Sequence, residues 1–291
     1  MIKRAIYSIL LILITSLQVM GLPYCDVRKF SIIDGLAANT ISDIAQTPDR
    51  LMWFSTWNGI SYYDGNSFHT FRDEADDIDL LSTNRFMGIY ATARNNVWCI
   101  TASRRLYAYE TILCTFVPVG DNINKLYNID LRVDKIYPIK QGNTWVTTQS
   151  GDYLIRINRL QREGNIPKLI KVGQDGLRSG NVWHIWGDNK KREWILTDKG
   201  TTIYHHHFST PIPFKWVREV GDNIFLATQD GRLAVFDENN KLNMIPLPAG
   251  VTRINQLKNT GYQLLIATNL GMIIYNPRTF KTETVSYTHL R

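Results

Sequence analysis

Eight tryptophans, three consecutive histidines and an acidic run are the residues of this chain whose types and spacing could do chemistry. Indole rings stack against the apolar faces of sugars, so exposed ones make binding platforms and buried ones make core. Trp53, Trp98, Trp145, Trp194 and Trp216 fall in strand-like segments and read first as core, whereas Trp57 sits in a turn and Trp183 and Trp186 lie near a shared axis. For these three, both the core and the platform reading stay open. His205, His206 and His207 invite a metal. On an extended strand only His205 and His207 would share a side, and no carboxylate or cysteine at zinc spacing completes a site, so a solvated strand end is the expectation. The run Asp73, Glu74, Asp76, Asp77 and Asp79 lacks the ordered spacing and glycine of a calcium loop and reads as an exposed connector. No nucleophile elbow, phosphate loop or spaced cysteine cluster is present in the sequence, so no catalytic residue, metal or cofactor is assigned.

The elements that must position these side chains are set by a repeat. A bulky apolar residue is followed three positions later by threonine at Trp53/Thr56, Trp98/Thr101, Trp145/Thr148, Trp194/Thr197, Phe225/Thr228 and Leu265/Thr268. A glycine follows three residues further on at Gly59, Gly151, Gly200, Gly231 and Gly271, and Arg104 takes that place in the second copy. Successive threonines are 45, 47, 49, 31 and 40 residues apart, the period of one four-stranded propeller blade. Aromatic, β-branched and small residues around each copy suit a half-buried pleated surface. The motif reads as the second strand of a blade, a turn at the glycine, and a third strand beginning there. Segments such as 40–44 and 181–185 supply innermost strands, and 67–71 and 281–285 supply outer ones. The predicted fold is an all-β propeller with six visible blades over residues 22–285.

In such a ring the turns between second and third strands share a face with the connectors entering each blade. That face is predicted to gather Asn39, Trp57, Asn58, Asn84, Arg85, Arg104, Arg178, Asn181 and Lys199, with Trp183 near the channel. Arginine and asparagine fork hydrogen bonds to hydroxyls and carboxylates, which suits an oligosaccharide or related small ligand.

The first copy is the fullest, running from Asp34-Gly35-Leu36 and Asn39-Thr40-Ile41 through Trp53 to Ile60 and on to Tyr63-Asp64-Gly65. It resembles the two-component regulator propeller repeat of periplasmic sensors in Bacteroidetes hybrid two-component systems. The resemblance covers nearly the whole mature chain and is sharpest in copies one, three and four. It implies a polysaccharide-responsive receptor whose paired, usually seven-bladed propellers precede a membrane helix, a histidine kinase and a DNA-binding module, and which works as a homodimer. This segment alone is then expected to lack kinase activity. A secreted propeller lyase or glycosidase and a protein-binding scaffold are the alternatives.

Residues Lys29 to Ile33 form a further strand candidate, read as the outer strand of a seventh blade whose inner strands lie beyond Arg291. Residues 286–291 fit no repeat. At the amino terminus, Lys3 and Arg4 precede an apolar run from Ala5 to Leu17, the pattern of a secretory signal over residues 1–21, with an uncleaved anchor as the rival. Either way the propeller is expected in the periplasm. Cys25 lacks the small preceding residue of a lipoprotein signal. Cys99 and Cys114 fall on second and fourth strands of one blade, too far apart to bridge, and both are expected as buried thiols. The net charge of +7 is spread over the repeats rather than gathered on a stripe, which argues against nucleic acid.

Overall fold

The computed structural model describes residues 27–72, 83–92, 96–110, 114–139, 143–158 and 167–285. The signal segment 1–21, Cys25, the acidic run 73–79 and the tail 286–291 lie outside these residues. The described chain forms six antiparallel four-stranded sheets, each a meander in chain order. Blade 1 holds β1 (Ile41–Gln46), β2 (Met52–Thr56), β3 (Gly59–Tyr63) and β4 (Phe68–Phe71), and blade 2 holds β5 (Phe86–Ala91), β6 (Val97–Thr101), β7 (Leu106–Glu110) and β8 (Thr115–Val117). Blade 3 comprises β9 (Val133–Pro138), β10 (Asn143–Thr148), β11 (Tyr153–Asn158) and β12 (Lys168–Lys171), and blade 4 comprises β13 (Val182–Gly187), β14 (Glu193–Thr197), β15 (Gly200–Tyr204) and β16 (Ser209–Thr210). Blades 5 and 6 follow as β17 (Phe214–Val220), β18 (Asn223–Thr228), β19 (Leu233–Phe236), β20 (Leu242–Ile245), and β21 (Ile254–Asn259), β22 (Leu264–Thr268), β23 (Gly271–Asn276), β24 (Lys281–Val285). The propeller predicted from the repeat is therefore the fold.

Apolar burial sits between blades. Five clusters join blade 1 to 2, 2 to 3, 3 to 4, 4 to 5 and 5 to 6 in series. The motif tryptophans Trp53, Trp98, Trp145 and Trp194 are at most 2% exposed and wedge into these clusters, which settles them as core. The first strands of successive blades neighbour one another and so line the axis.

The motif threonine has a physical role that explains its recurrence. The residue is at most 4% exposed in all six copies, and its hydroxyl clamps the turn that follows. Thr56, Thr197 and Thr268 donate to the carbonyls of Gly59, Gly200 and Gly271 at 2.8, 3.0 and 2.8 Å and accept the backbone N–H two residues on. In these three copies the glycine pairs with the threonine and opens the third strand, as predicted. In the other three the turn is longer. Arg104 and Gly151 donate back to the threonine carbonyl in a left-handed conformation (φ 63° and 73°), and the third strand starts two residues later, at Leu106 and Tyr153. Blade 5 follows suit, with Leu233 rather than Gly231 opening β19.

Gly200 cannot carry a side chain. Its φ is 145°, and an added Cβ would lie 2.3 Å from the carbonyl oxygen of Thr210. Gly200→Ala is expected to cost about 2 kcal/mol through left-handed strain and overlap, read as a lowered melting temperature. An unchanged melt would show that the β15 edge yields.

Three expectations are corrected, and one element is new. Residues 29–33 form no strand: Ser31 accepts the Ile33 N–H while Asp34 accepts the Ser31 N–H, a capping box that closes a 3-10 turn at Ile32–Asp34, with Ile33 93% exposed. Cys99 is buried as expected, but Cys114 is exposed because it occupies a left-handed turn (φ 52°) before β8; no disulfide joins the two. His205 to His207 are solvated, yet they form the turn between β15 and β16 rather than a strand end, with His205 at φ 56°. A helix not foreseen, α1 (Val119–Tyr127), links blades 2 and 3 and buries Ile123 between them.

Candidate functional site

The face anticipated from the repeat is assembled by backbone hydrogen bonds between second-to-third-strand turns and entering connectors. Gly59 donates to the Asn84 carbonyl at 2.7 Å, Ala102 to Arg85 at 2.8 Å, Gln149 to Arg132 at 2.8 Å and Asp198 to Asn181 at 3.1 Å. Two of the predicted residues meet in a cleft: Trp57 and Arg85, with Ser42, Phe86, Met87 and Ala102, line about 260 Å³ of space at the junction of blades 1 and 2. Trp57 is 64% exposed there, too accessible to be core.

Most of the other predicted residues sit around the same face and are engaged in holding it together. Asn39 accepts the Ile32 N–H through Oδ1 at 2.9 Å, and Asn58 accepts Arg72 Nε on its carbonyl at 3.1 Å. Arg104 donates to the Asp134 carbonyl and lies 3.7 Å from its carboxylate. Asn181 donates twice to Asp198, from its backbone at 2.9 Å and its amide at 3.0 Å, and Arg178 Nε donates to Ser209 Oγ at 3.0 Å. Lys199 is exposed at the tip of the blade 4 turn. Trp183 lies with the channel rather than with the Trp57 cleft, its ring 5.8 Å from Lys215 Nζ.

A second group of residues, which the repeat did not reveal, lines the axis. Every innermost strand slips register by one residue at the same place, leaving Ser42, Met87, Asp134, Trp183, Lys215 and Asn255 out of the ladder. Such bulges bend the strand and re-aim its side chains. One residue deeper the six strands carry Asp43, Gly88, Lys135, His184, Trp216 and Gln256. Below these, at a further two residues, stand Tyr90, Tyr137 and Arg218.

Electrostatics mark this axis as unusual. Burial, reinforced by the positive charges of Arg218 and Lys135, pushes the His184 imidazole down to about 4, so it is neutral at pH 7. Its ring meets Tyr137 edge-on at 5.6 Å. Burial, with Asp134 and Tyr90 adding to it, holds the Tyr137 phenol up at about 12, and burial likewise raises Tyr90. The signal that could have found these residues is the single-residue slip itself, invisible to a strict alternation count.

For metal binding the histidine turn is the place to look. His205, His206 and His207 line a cleft of about 300 Å³ with Asp175 and Tyr204. Among the described residues, however, no group of three or more histidine, cysteine or carboxylate side chains is placed to hold an ion.

No protein-family model and no curated protein matches the chain. Among solved structures it is similar to the extracellular domain assigned to the hybrid two component system BT3049 of B. thetaiotaomicron, with a TM-score of 0.53 at 17% identity, covering 89% of this chain and 36% of that one. The corresponding domain of BT4673 from the same organism gives 0.52 at 15% identity, covering 91% and 39%. Virginiamycin B lyase from Staphylococcus aureus gives 0.51 at 11% identity, covering 84% of each chain. At these identities the likeness is one of fold. The chain spans 36 to 39% of the length of these two extracellular domains.

Proposed function

We propose that this chain is the ligand-sensing propeller of an extracytoplasmic receptor, the amino-terminal part of a transmembrane hybrid two-component histidine kinase that responds to polysaccharide fragments. The observation that carries the reading is the Trp57 cleft. An exposed indole beside an arginine and a methionine, on the face where blade connectors converge, offers both an apolar plate for a sugar ring and a fork for its hydroxyls. The fold shared with extracellular sensor domains supports it. In this reading the segment has no enzymatic activity of its own. Ligand acts by favouring one arrangement of a receptor dimer over another, which requires unequal affinity for the two. The membrane helix and kinase belong to further parts of the protein.

Titration of the chain with a panel of plant and host glycan fragments, followed by calorimetry, tests the proposal. A bound fragment should lose about tenfold in affinity on Trp57→Ala, the size of effect that one stacking aromatic supplies, while the exposed site leaves stability within about 0.5 kcal/mol. Unaltered affinity would move the site elsewhere. The lyase reading has one observation in its favour, the neutral imidazole of His184 beside Tyr137, since a proton-abstracting base must be unprotonated at working pH. Appearance of an unsaturated product during the same titrations would decide for it.

A further inference from the structure

Three successive innermost strands, β9, β13 and β17, set Lys135, His184 and Arg218 around one sector of the channel. The cations are close enough for both to act on the imidazole between them. Neither is neutralised by a carboxylate among the described residues. Lys135 is exposed. Arg218 is partly buried and donates through Nη1 to the carbonyl of Val217 at 2.6 Å. A guanidinium withdrawn from water without a counterion is costly, and the cost falls when an anion arrives.

The nearby acids are committed elsewhere. Asp134, on the same strand as Lys135, faces Arg104 at 3.7 Å. Asp43, on β1, accepts the backbone N–H of Ile89 at 3.2 Å and of Ile44 at 2.9 Å. At the mouth of the same sector Lys215 Nζ lies over the rings of Trp183 and Trp216, at 5.8 and 5.3 Å. Cation, aromatic plate and uncompensated arginine thus occur together on blades 3 to 5, away from the Trp57 cleft on blades 1 and 2.

We propose that Lys135, His184 and Arg218 form a subsite for an anionic substituent, a carboxylate or sulfate carried by a sugar whose ring stacks on Trp183. This deepens the sensing reading above and rests on it, naming charged rather than neutral saccharides as the ligand class. Arg218 offers a planar fork of donors, Lys135 a point charge, and His184 an N–H that gains a full charge by taking up a proton when the anion binds. Tyr137, edge-on to the imidazole, stays a neutral phenol and supplies no competing charge.

The experiment titrates the 291-residue chain with trigalacturonate and a 6-sulfated chitotriose against neutral galactotriose and chitotriose, by calorimetry in two buffers of different ionisation enthalpy. The expected result is at least about tenfold tighter binding of one charged probe, the worth of a charge-assisted contact. Carboxylate and sulfate are distinguished by which probe is preferred. Arg218→Gln should abolish the preference, and the exposed Lys135→Gln should weaken it without touching the core. Proton uptake should accompany binding between pH 5 and 7 and vanish in His184→Gln. Equal affinity for charged and neutral probes would overturn the anion subsite and leave glycan sensing standing. Failure of every saccharide to bind the folded chain would overturn both.

Discussion

Replacing Asp188 with alanine is expected to lower the unfolding free energy by about 3 to 5 kcal/mol, the largest effect of any single polar substitution foreseen in this propeller. Asp188 is fully buried where β13 turns into β14. One carboxylate oxygen accepts Arg192 Nε at 2.5 Å and the Trp194 indole N–H at 3.0 Å, and the other accepts the Arg192 backbone N–H at 2.8 Å. Arg192 in turn donates to Asn240 of blade 5 at 2.9 Å and lies over the rings of Trp194 and Phe236. Removing the carboxylate leaves a guanidinium only 10% exposed without its counterion and the indole without an acceptor. A urea midpoint that falls with an unchanged slope is the diagnostic. Asp188→Asn, which keeps an acceptor for the indole, should lose less. If alanine costs under about 1 kcal/mol, within the range of an ordinary surface pair, Arg192 has found another partner and the argument fails.

The same position is Thr47, Thr92 and Ile139 in the first three blades, and there the indole nitrogens of Trp53, Trp98 and Trp145 are buried without an acceptor. Repetition of the motif has preserved the ring while only one blade supplies its hydrogen bond.

Acidification should weaken the fold through His184 well before the carboxylates titrate. The unfolded chain protonates this histidine near 6.5, and the folded chain only near 4. Between those values the unfolded state binds a proton that the native state refuses, so stability is complete above about pH 6.5 and declines as pH falls toward 4. The gap is worth roughly 3 kcal/mol. Burial of the ring is the main cause, and the charges of Arg218 on β17 and Lys135 on β9 add to it, with Tyr137 of β9 packed edge-on. Asp64, held far below the ordinary carboxylate range by the N–H groups of Ser67 and Asn66, titrates at lower pH and leaves this window to His184. Melting temperatures at pH 7.5 and 4.5 measure the loss, and His184→Phe should flatten it. A parallel slope in the variant would assign the effect to another group.

Much of the fold was legible because the motif is local. Trp-x-x-Thr-x-x-Gly encodes a core wedge, a hydroxyl clamp and a left-handed turn within seven residues, and each function depends only on near neighbours. The same locality hid the difference between two turn lengths, since Gly151 and Gly200 occupy one motif position but close different turns. Residues 29–33 look extended by composition, yet Ser31 and Asp34 together outweigh their β-branched neighbours. Helix α1 has Pro118 at its cap without a side-chain hydrogen bond, so no start signal announced it. Trp57 was found because a bulky aromatic in a turn is conspicuous. Lys135, His184 and Arg218 were missed because their proximity arises from three strands that place them 49 and 34 residues apart, and from a slip that alternation does not register.

That slip bears on how such a domain could change its tastes over generations. Ser42, Met87, Asp134, Trp183, Lys215 and Asn255 stand outside the ladder, and none belongs to an interblade cluster. Selection on core packing therefore bears lightly on these six positions around the axis, although Ser42 still ties β1 to the Phe86 carbonyl and Asp134 meets Arg104. Alcohol, thioether, carboxylate, indole, ammonium and amide already occur there in a single protein. Drift at these sites would sample new chemistry while the scaffold stays intact, making the ring of bulges a natural substrate for adaptive diversification.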